Sequence, residues 1–204
     1  MEVSENNSEV AINRALEHGF GLETDVRDLN GNLVISHDPP VESSDLPDLR
    51  WLLERIGACG SRGRIALNVK ADGLAGSISE LIQVSGINVE QIYVFDMSVP
   101  DSISYLKTQI PVYSRLSEYE HKPPFLDNAL GVWVDNFTGD FPQIQYAKEL
   151  MSKGIRAAIV SPELHRRDHQ ALWQAILDSG IHHNPLFELC TDYPAEAARQ
   201  FCDP

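Results

Sequence analysis

The chain has 204 residues, about the length of one or two domains, and 43% of them are apolar, 8% aromatic and 23% charged. That composition is typical of a globular protein with a sizeable core, and it excludes collagen-like, low-complexity and largely disordered chains. Sixteen Lys and Arg against 30 Asp and Glu give a net charge of −14, which disfavours contact with nucleic-acid backbones and anionic lipid, so we predict no nucleic-acid partner.

The cysteines and the N-terminus predict a cytoplasmic protein. Cys59, Cys190 and Cys202 are too few and too scattered for a disulfide framework or a metal knuckle, so we expect reduced thiols. The N-terminus lacks a basic start followed by an apolar core, and no apolar run approaches the ~18 residues of a membrane span. We therefore expect no membrane span, while the oligomeric state stays open.

Short apolar runs alternate with amphipathic stretches along the whole chain, which is typical of α/β proteins. The pattern predicts an opening helix at 7–17. Later helices have readable boundaries: one is capped by Asp45 and stops at Gly57, one stops at Gly154, and one stops at Gly180. The predicted strands are 21–26, 65–70, 92–97, 111–116, 131–136, 157–161 and 185–191.

Seven βα units after a leading helix predict a (β/α)8 TIM-type barrel that is one strand short of eight. An open doubly wound sheet is the alternative. It is disfavoured because Gly21 precedes the first strand, and no glycine-rich phosphate-binding turn follows that strand. No linker or internal repeat divides the sequence, so we expect residues 1–204 to form a single barrel domain.

Two acids near the start of the chain indicate a cation site. Glu23 and Asp25 are two residues apart, so on a strand both carboxylates lie on one face. In a half-buried barrel mouth they repel each other and raise one another's pKa, and an oxygen-coordinated Mg²⁺ or Ca²⁺ removes that cost. Ordinary exposed acids on an edge strand are the alternative.

A histidine is brought near these acids by a predicted hairpin. Asn30-Gly31 is a strong two-residue turn signal, and a symmetric turn there puts His37 opposite Thr24. Paired residues share a face, so the ring points away from the acids unless a bulge or local unwinding turns it inward. His37 is therefore a candidate proton-transfer residue, with a purely structural histidine as the alternative.

Other polar residues lie at predicted strand ends, where barrels carry their catalytic groups. Asn68 and Lys70 repeat the two-residue spacing, and Lys70 can neutralise a phosphate or form a salt bridge to the nearby acids. Arg115 is a candidate second phosphate contact, and Asp96 a possible extra cation ligand. The pair His165 and His169 is interpreted as surface charge.

These residues together resemble a known family. Residues 21–26, Gly-Leu-Glu-Thr-Asp-Val, followed by 33–39, Leu-Val-Ile-Ser-His-Asp-Pro, resemble the Glu-x-Asp-Val and His-Asp-Pro motifs of the glycerophosphodiester phosphodiesterases. Residues 6–8 are similar to the family's Glu-Asn-Thr helix start, 67–70 to its Glu-x-Lys strand, and 190–194 to its terminal Thr-Asp-x-Pro.

The resemblance implies a phospholipase-C-like phosphodiesterase barrel. Such a barrel hydrolyses phosphodiesters, here a small glycerophospho- or sugar-phosphodiester, with one divalent cation and two acid–base histidines. By position, Glu23 and Asp25 match metal ligands, His37 matches one catalytic histidine, and Lys70 matches the lysine beside the phosphate.

Two departures leave a second interpretation open. The family's other histidine lies in a His-Arg-Gly motif on a first strand that precedes the helix, so we expect that strand to be missing here. The third metal ligand is Asn68 instead of an acid, which removes one negative charge. The alternative is a catalytically impaired barrel that binds phosphorylated ligands or partners without turnover. A Schiff-base role for Lys70 is the least favoured, because neighbouring acids stabilise its charged form.

Overall fold

A computed structural model describes residues 7–42 and 45–202 of the chain. Its contacts separate into two compact units, the first ending at Val112 and the second beginning at Tyr113. Each unit has its own hydrophobic core. The expectation of one barrel domain over the whole chain stays a prediction.

The first unit is a four-stranded sheet covered by helices. The strand order is β2-β1-β3-β4, in which β1, β3 and β4 are parallel and β2 is antiparallel to β1. Its elements are α1 (Glu9–Glu17), β1 (Leu22–Leu29), β2 (Asn32–Ile35), α2 (Leu49–Cys59), β3 (Ile65–Val69), α3 (Ala75–Ser85), β4 (Ile92–Phe95) and α4 (Val99–Tyr105).

The predicted hairpin is confirmed. Asn30 and Gly31 both have left-handed backbones, with φ of 52° and 84°, as a two-residue type I′ turn requires. The resulting register pairs Val26 with Ile35. Val26 and Ile35 are the last paired residues of the hairpin, so His37 lies just beyond the end of β2.

The helix after the hairpin begins later than predicted. Asp48, not Asp45, is its N-cap, and the Asp48 carboxylate accepts a hydrogen bond from the Trp51 N–H at 2.6 Å. The helix also continues through Gly57 and ends where Gly60 adopts a left-handed backbone, with φ of 61°. A glycine inside a helix costs only ~1 kcal/mol, and the four buried apolar side chains of this helix outweigh it.

The second unit is a four-stranded parallel sheet in the order β5-β6-β7-β8. The first residue of β6, Gly131, has no room for a side chain, because a Cβ there would lie 2.5 Å from the Cζ of the Tyr113 ring. The elements are β5 (Tyr113–Leu116), β6 (Gly131–Val134), α5 (Gln143–Ser152), β7 (Arg156–Val160), α6 (Gln170–Ser179), β8 (Phe187–Cys190) and α7 (Pro194–Phe201).

All seven predicted strands are present, and β2 is the additional hairpin partner. The opening helix starts at Glu9, where the Ser8 hydroxyl accepts from the Ala11 N–H. Gly180 ends α6 in a left-handed conformation, as predicted. Within residues 7–42 and 45–202, no helix is long and apolar enough to cross a membrane.

Candidate active site

Four of the predicted site residues come together where the first half of β1 runs beside the carboxyl end of β3. The parallel register places Asp25 beside Asn68. The Asn68 Nδ2 donates to Glu23 Oε1 at 3.1 Å, and the Lys70 Nζ lies 3.6 Å from Asp25 Oδ1. We call Glu23, Asp25, Asn68 and Lys70 the carboxyl-end cluster.

Asp96 is the nearest partner of the cluster's lysine. It follows β4, and its Oδ2 accepts a hydrogen bond from Lys70 Nζ at 2.9 Å. Both side chains are only about one-fifth exposed, so solvent screens this pair less than a surface pair. Asp96 has a left-handed backbone, with φ of 71°. In the structure it is an ion-pair partner of Lys70, and its suggested part in cation binding is untested.

Asn7 fixes the orientation of the Asp25 carboxylate. Its Nδ2 donates to Asp25 Oδ2 at 2.7 Å, while its Oδ1 accepts from the Thr24 hydroxyl at 2.7 Å and from the Asp25 N–H at 3.3 Å. One Asp25 oxygen is therefore held by an amide, and the other faces Lys70. The sequence shows Asn7 only as part of a helix start, and its contact with β1 depends on helix α1 and the connection from α1 to β1.

Arg27 ties together the two segments that carry His37 and Lys70. Its Nε donates to the His37 carbonyl at 2.9 Å, and its Nη1 donates to the Lys70 carbonyl at 2.9 Å. Sequence reasoning missed this residue. The signal was available, because Arg27 continues the alternation of Glu23 and Asp25 on the same face of β1.

The cluster strongly perturbs the ionisation of Glu23. Burial, followed by the negative charge of Asp25, raises the pKa of Glu23 from 4.5 to about 7. The hydrogen bond from Asn68 and the positive charge of Lys70 lower the pKa of Glu23, but by less than burial and Asp25 raise it. In the protein without a bound cation, Glu23 therefore holds a proton well above the pH at which an exposed glutamate loses it.

This shift predicts a pH-dependent stability. Between pH 4.5 and 7 the folded state keeps a proton on Glu23 that the unfolded chain has released, so stability falls as pH rises through that window. We expect a loss of about 3 kcal/mol from this group. Chemical denaturation in chelator should show the decline, and Glu23→Gln should remove most of it. An unchanged pH slope in Glu23→Gln would contradict the assignment.

The cluster also fits a hard divalent cation. Asn68 Oδ1 is buried and has no hydrogen-bond partner among the residues that the structure describes. A buried carbonyl oxygen without a donor is unfavourable, and an oxygen-coordinated cation satisfies it. In the described part of the chain, no three or more His, Cys, Asp or Glu side chains are grouped to hold a metal ion. The candidate donor set is two carboxylates and one amide oxygen.

His37 lies at the end of the hairpin, where its ring is mostly solvent-exposed. Its Nδ1 is 2.9 Å from Asp38 Oδ1, and the side chain is 72% exposed. Among the described residues no hydrogen bond joins this ring to Glu23 or Asp25. Because Asp38 occupies Nδ1, the Nε2 of His37 is the ring nitrogen that could exchange a proton with a ligand. The proton-transfer role of His37 stays a prediction.

The second unit holds Arg115, which the sequence predicts as a site residue, and a contact between His165 and Asp135 that the sequence does not predict. Arg115 Nη2 is 2.8 Å from Glu120 Oε1, and its suggested phosphate contact stays a prediction. His165 Nε2 is 2.7 Å from Asp135 Oδ1, with side-chain exposures of 23% and 14%. The interpretation of His165 as surface charge is therefore wrong, because its side chain is only 23% exposed and pairs with Asp135. Asp135 directly follows β6, whereas His165 ends the 3₁₀ turn Pro162–His165, so the two residues are brought together only by folding.

Comparison with solved structures assigns the fold. A glycerophosphodiester phosphodiesterase from Parabacteroides distasonis superposes with a TM-score of 0.74, covering 96% of this chain and 90% of that chain at 17% identity. A second, from Agrobacterium tumefaciens, superposes with a TM-score of 0.64, covering 90% of both chains at 16% identity. No family model and no curated protein matches the sequence.

The chain has the glycerophosphodiester phosphodiesterase fold. This confirms the predicted α/β fold class with parallel strands of the TIM-barrel kind. At 16–17% identity this similarity shows the fold alone. Any chemical activity has to be argued from the residues of the site. Barrels carry their catalytic groups at the carboxyl ends of their strands, and Asn68 and Lys70 of the carboxyl-end cluster lie at the end of β3.

Proposed function

We propose that the protein is a divalent-cation-dependent phosphodiester hydrolase that acts on a small glycerophospho- or sugar-phosphodiester. One observation carries the proposal: the Glu23 and Asp25 carboxylates lie on one face of β1 beside the Asn68 amide, whose oxygen is buried without a hydrogen-bond partner among the described residues, and the Lys70 ammonium lies 3.6 Å from Asp25. This arrangement combines hard oxygen donors with a cation that can face a phosphate. The fold of known phosphodiesterases supports the same chemistry.

Glu23, Asp25 and Asn68 are the residues that would hold Mg²⁺ or Ca²⁺. When bound there, the cation supplies Lewis-acid polarisation of the phosphoryl oxygens. Asn68 can present its oxygen by rotating the amide, because Nδ2 and Oδ1 exchange places when the amide flips. In the structure Nδ2 faces Glu23. A bound cation would favour the opposite orientation.

Lys70 would stabilise the charge on the phosphodiester, and His37 would transfer the proton. The Lys70 ammonium, held by Asp96 at 2.9 Å, would offset the negative charge that develops on the phosphoryl oxygens. His37, with Asp38 on Nδ1, would exchange a proton through Nε2 with the attacking or leaving oxygen. Arg115 is a further candidate for phosphate binding.

A non-catalytic barrel that binds phosphorylated ligands is the second candidate. The observation that favours it is the set of contacts around Lys70, whose ammonium is already engaged by Asp25 and Asp96. An amide in place of a third carboxylate also weakens the hold on a cation. Both features are compatible with binding a phosphate ester without cleaving it.

Turnover separates the two candidates. Release of p-nitrophenol from bis(p-nitrophenyl) phosphate, and of glycerol 3-phosphate from glycerophosphodiesters, should be measured with Mg²⁺, Ca²⁺ or EDTA. The hydrolase predicts turnover that requires a cation and disappears in EDTA. A folded protein that binds glycerol 3-phosphate but cleaves no diester with either cation would favour the binding protein.

Replacing Asn68 with Asp tests the amide ligand. We expect Asn68→Asp to raise Mg²⁺ or Ca²⁺ affinity by about tenfold or more, because it restores a charged oxygen donor. The same change should destabilise the cation-free protein, since a third carboxylate then joins Glu23 and Asp25. Calorimetric titration and thermal unfolding in EDTA measure the two effects. Equal cation affinity in both proteins would exclude Asn68 as a ligand.

A further inference from the structure

Arg27 is a basic side chain of the candidate site whose guanidinium has no carboxylate partner among the described residues. Its two hydrogen bonds go to the backbone carbonyls of His37 and Lys70. The Lys70 ammonium, in contrast, contacts two carboxylates, and the Arg115 guanidinium in the second unit contacts one. A cation that is already paired attracts a further anion less strongly. Of the three, Arg27 is therefore best placed to attract a phosphate group.

The Arg27 guanidinium also has donors that its protein contacts do not use. Arginine carries five N–H groups in a rigid planar fork, and Arg27 uses one on Nε and one on Nη1. Both acceptors are backbone carbonyls, which have no formal charge, so these bonds leave the positive charge uncompensated. Phosphoryl oxygens match the spacing of the N–H groups in such a fork. The remaining N–H groups can therefore bind a phosphate ester.

The two carbonyls fix the position of the guanidinium. Arg27 continues the face of β1 that carries Glu23 and Asp25. Its Nε lies 2.9 Å from the His37 carbonyl oxygen, and its Nη1 lies 2.9 Å from that of Lys70. Because the two bonds hold the fork at both sides, few side-chain rotamers are compatible with them. The guanidinium is pre-arranged between the segments that carry the proposed proton-transfer residue and the proposed charge-stabilising lysine.

We propose that Arg27 is a substrate-binding residue of this site, which binds a non-bridging oxygen of the phosphodiester anion. The inference rests on the proposed function, because it names the residue that recognises the negative charge of the substrate. Arg27 binds the charge that the diester already carries, whereas Lys70 offsets the charge that develops during the reaction. A neutral phosphate triester lacks the charge that Arg27 recognises and is a poor ligand.

The test is the binding of an inert diester to the whole chain, in EDTA and again with Mg²⁺. Dimethyl phosphate carries the single negative charge of a phosphodiester, and trimethyl phosphate is its neutral counterpart. Ligand-detected NMR measures both affinities at constant ionic strength, because salt screens the contact. The variants are Arg27→Gln, which removes the charge, and Arg27→Lys, which keeps it. Arg62→Gln is the matched control, because Arg62 is an exposed arginine that precedes β3.

We expect the unaltered chain to bind dimethyl phosphate at least about fivefold more tightly than trimethyl phosphate. Arg27→Gln should weaken dimethyl phosphate binding by about tenfold or more, Arg27→Lys should restore it to within about threefold, and Arg62→Gln should leave it unchanged. Undiminished binding in Arg27→Gln, or no binding to the unaltered chain up to about 100 mM, would overturn the proposal. So would equal affinity for the two probes, a comparison that needs no variant to fold.

Kinetics separate this inference from the proposed function. In an active hydrolase, Arg27→Gln should raise KM by about tenfold or more and change kcat by less than about threefold, because the lost contact forms before the reaction. Unchanged KM in an active enzyme would leave the hydrolase intact and overturn the role of Arg27. A chain that cleaves no diester, but loses dimethyl phosphate binding in Arg27→Gln, would support the contact in a binding protein and contradict the hydrolase.

Discussion

Replacing His37 with Asn is expected to lower kcat for phosphodiester hydrolysis by about 10²- to 10⁴-fold while cation affinity stays unchanged. The ring is exposed and Asp38 lies on its Nδ1, so Nε2 is the nitrogen that can exchange a proton with a substrate oxygen. Among the described residues, no hydrogen bond or ion pair joins the ring to Glu23 or Asp25. Steady-state kinetics at saturating cation, with calorimetric titration of the same protein, measure both quantities.

His121→Asn is the matched control, because His121 is an exposed histidine outside the carboxyl-end cluster. It should hydrolyse diesters like the unaltered protein. If His37→Asn keeps full kcat, His37 has no part in proton transfer. A parallel loss of cation affinity would instead show that His37 contributes to the cation site.

Lys70→Met is expected to reduce kcat/KM by about 10²-fold or more. Methionine keeps much of the apolar stem but removes the charge that would stabilise the phosphoryl oxygens in the transition state. The same change leaves the Asp25 and Asp96 carboxylates without their shared counter-ion. We therefore expect Mg²⁺ affinity to rise in Lys70→Met while turnover falls, a combination that general misfolding does not produce.

The control for this variant is Lys107→Met, which removes an exposed ammonium just after α4. Its kinetics and cation affinity should match those of the unaltered protein. Unchanged kcat/KM in Lys70→Met would remove the lysine from the proposed mechanism. A variant that loses both turnover and cation binding would point to a structural role for the ion pairs with Asp25 and Asp96.

The sequence predicts the sheet well because its strands have local signatures. Buried parallel strands are short apolar runs, and each predicted run is a strand in the structure. The Asn30-Gly31 turn also determines its hairpin register, since both residues accept the left-handed backbone that the turn needs. The helix cap at Asp48 was less predictable, because Asp45 and Asp48 are equally suitable cap residues by type.

The candidate site is only partly predictable, because many of its contacts join distant segments. The two-residue spacing predicts that Glu23 and Asp25 share one face of their strand, and that Asn68 and Lys70 share one face of theirs. The register of β1 with β3 then brings the two pairs together. The sequence predicts a salt bridge between Lys70 and the nearby acids as one alternative, and Lys70 Nζ lies 3.6 Å from Asp25 Oδ1. The amide of Asn7 could not be placed against Asp25 from sequence, since helix α1 and its connection to β1 determine that distance.

The central claim is that Glu23, Asp25 and Asn68 form a cation site. Calorimetric titration of Mg²⁺ and Ca²⁺ tests it most directly, using the unaltered chain, Glu23→Gln/Asp25→Asn, and a control pair of exposed acids, Glu80→Gln/Asp28→Asn. The account predicts one cation per chain for the unaltered and control proteins, and at least about tenfold weaker binding for Glu23→Gln/Asp25→Asn. Equal affinity in all three proteins, or no binding to the unaltered chain, would contradict it.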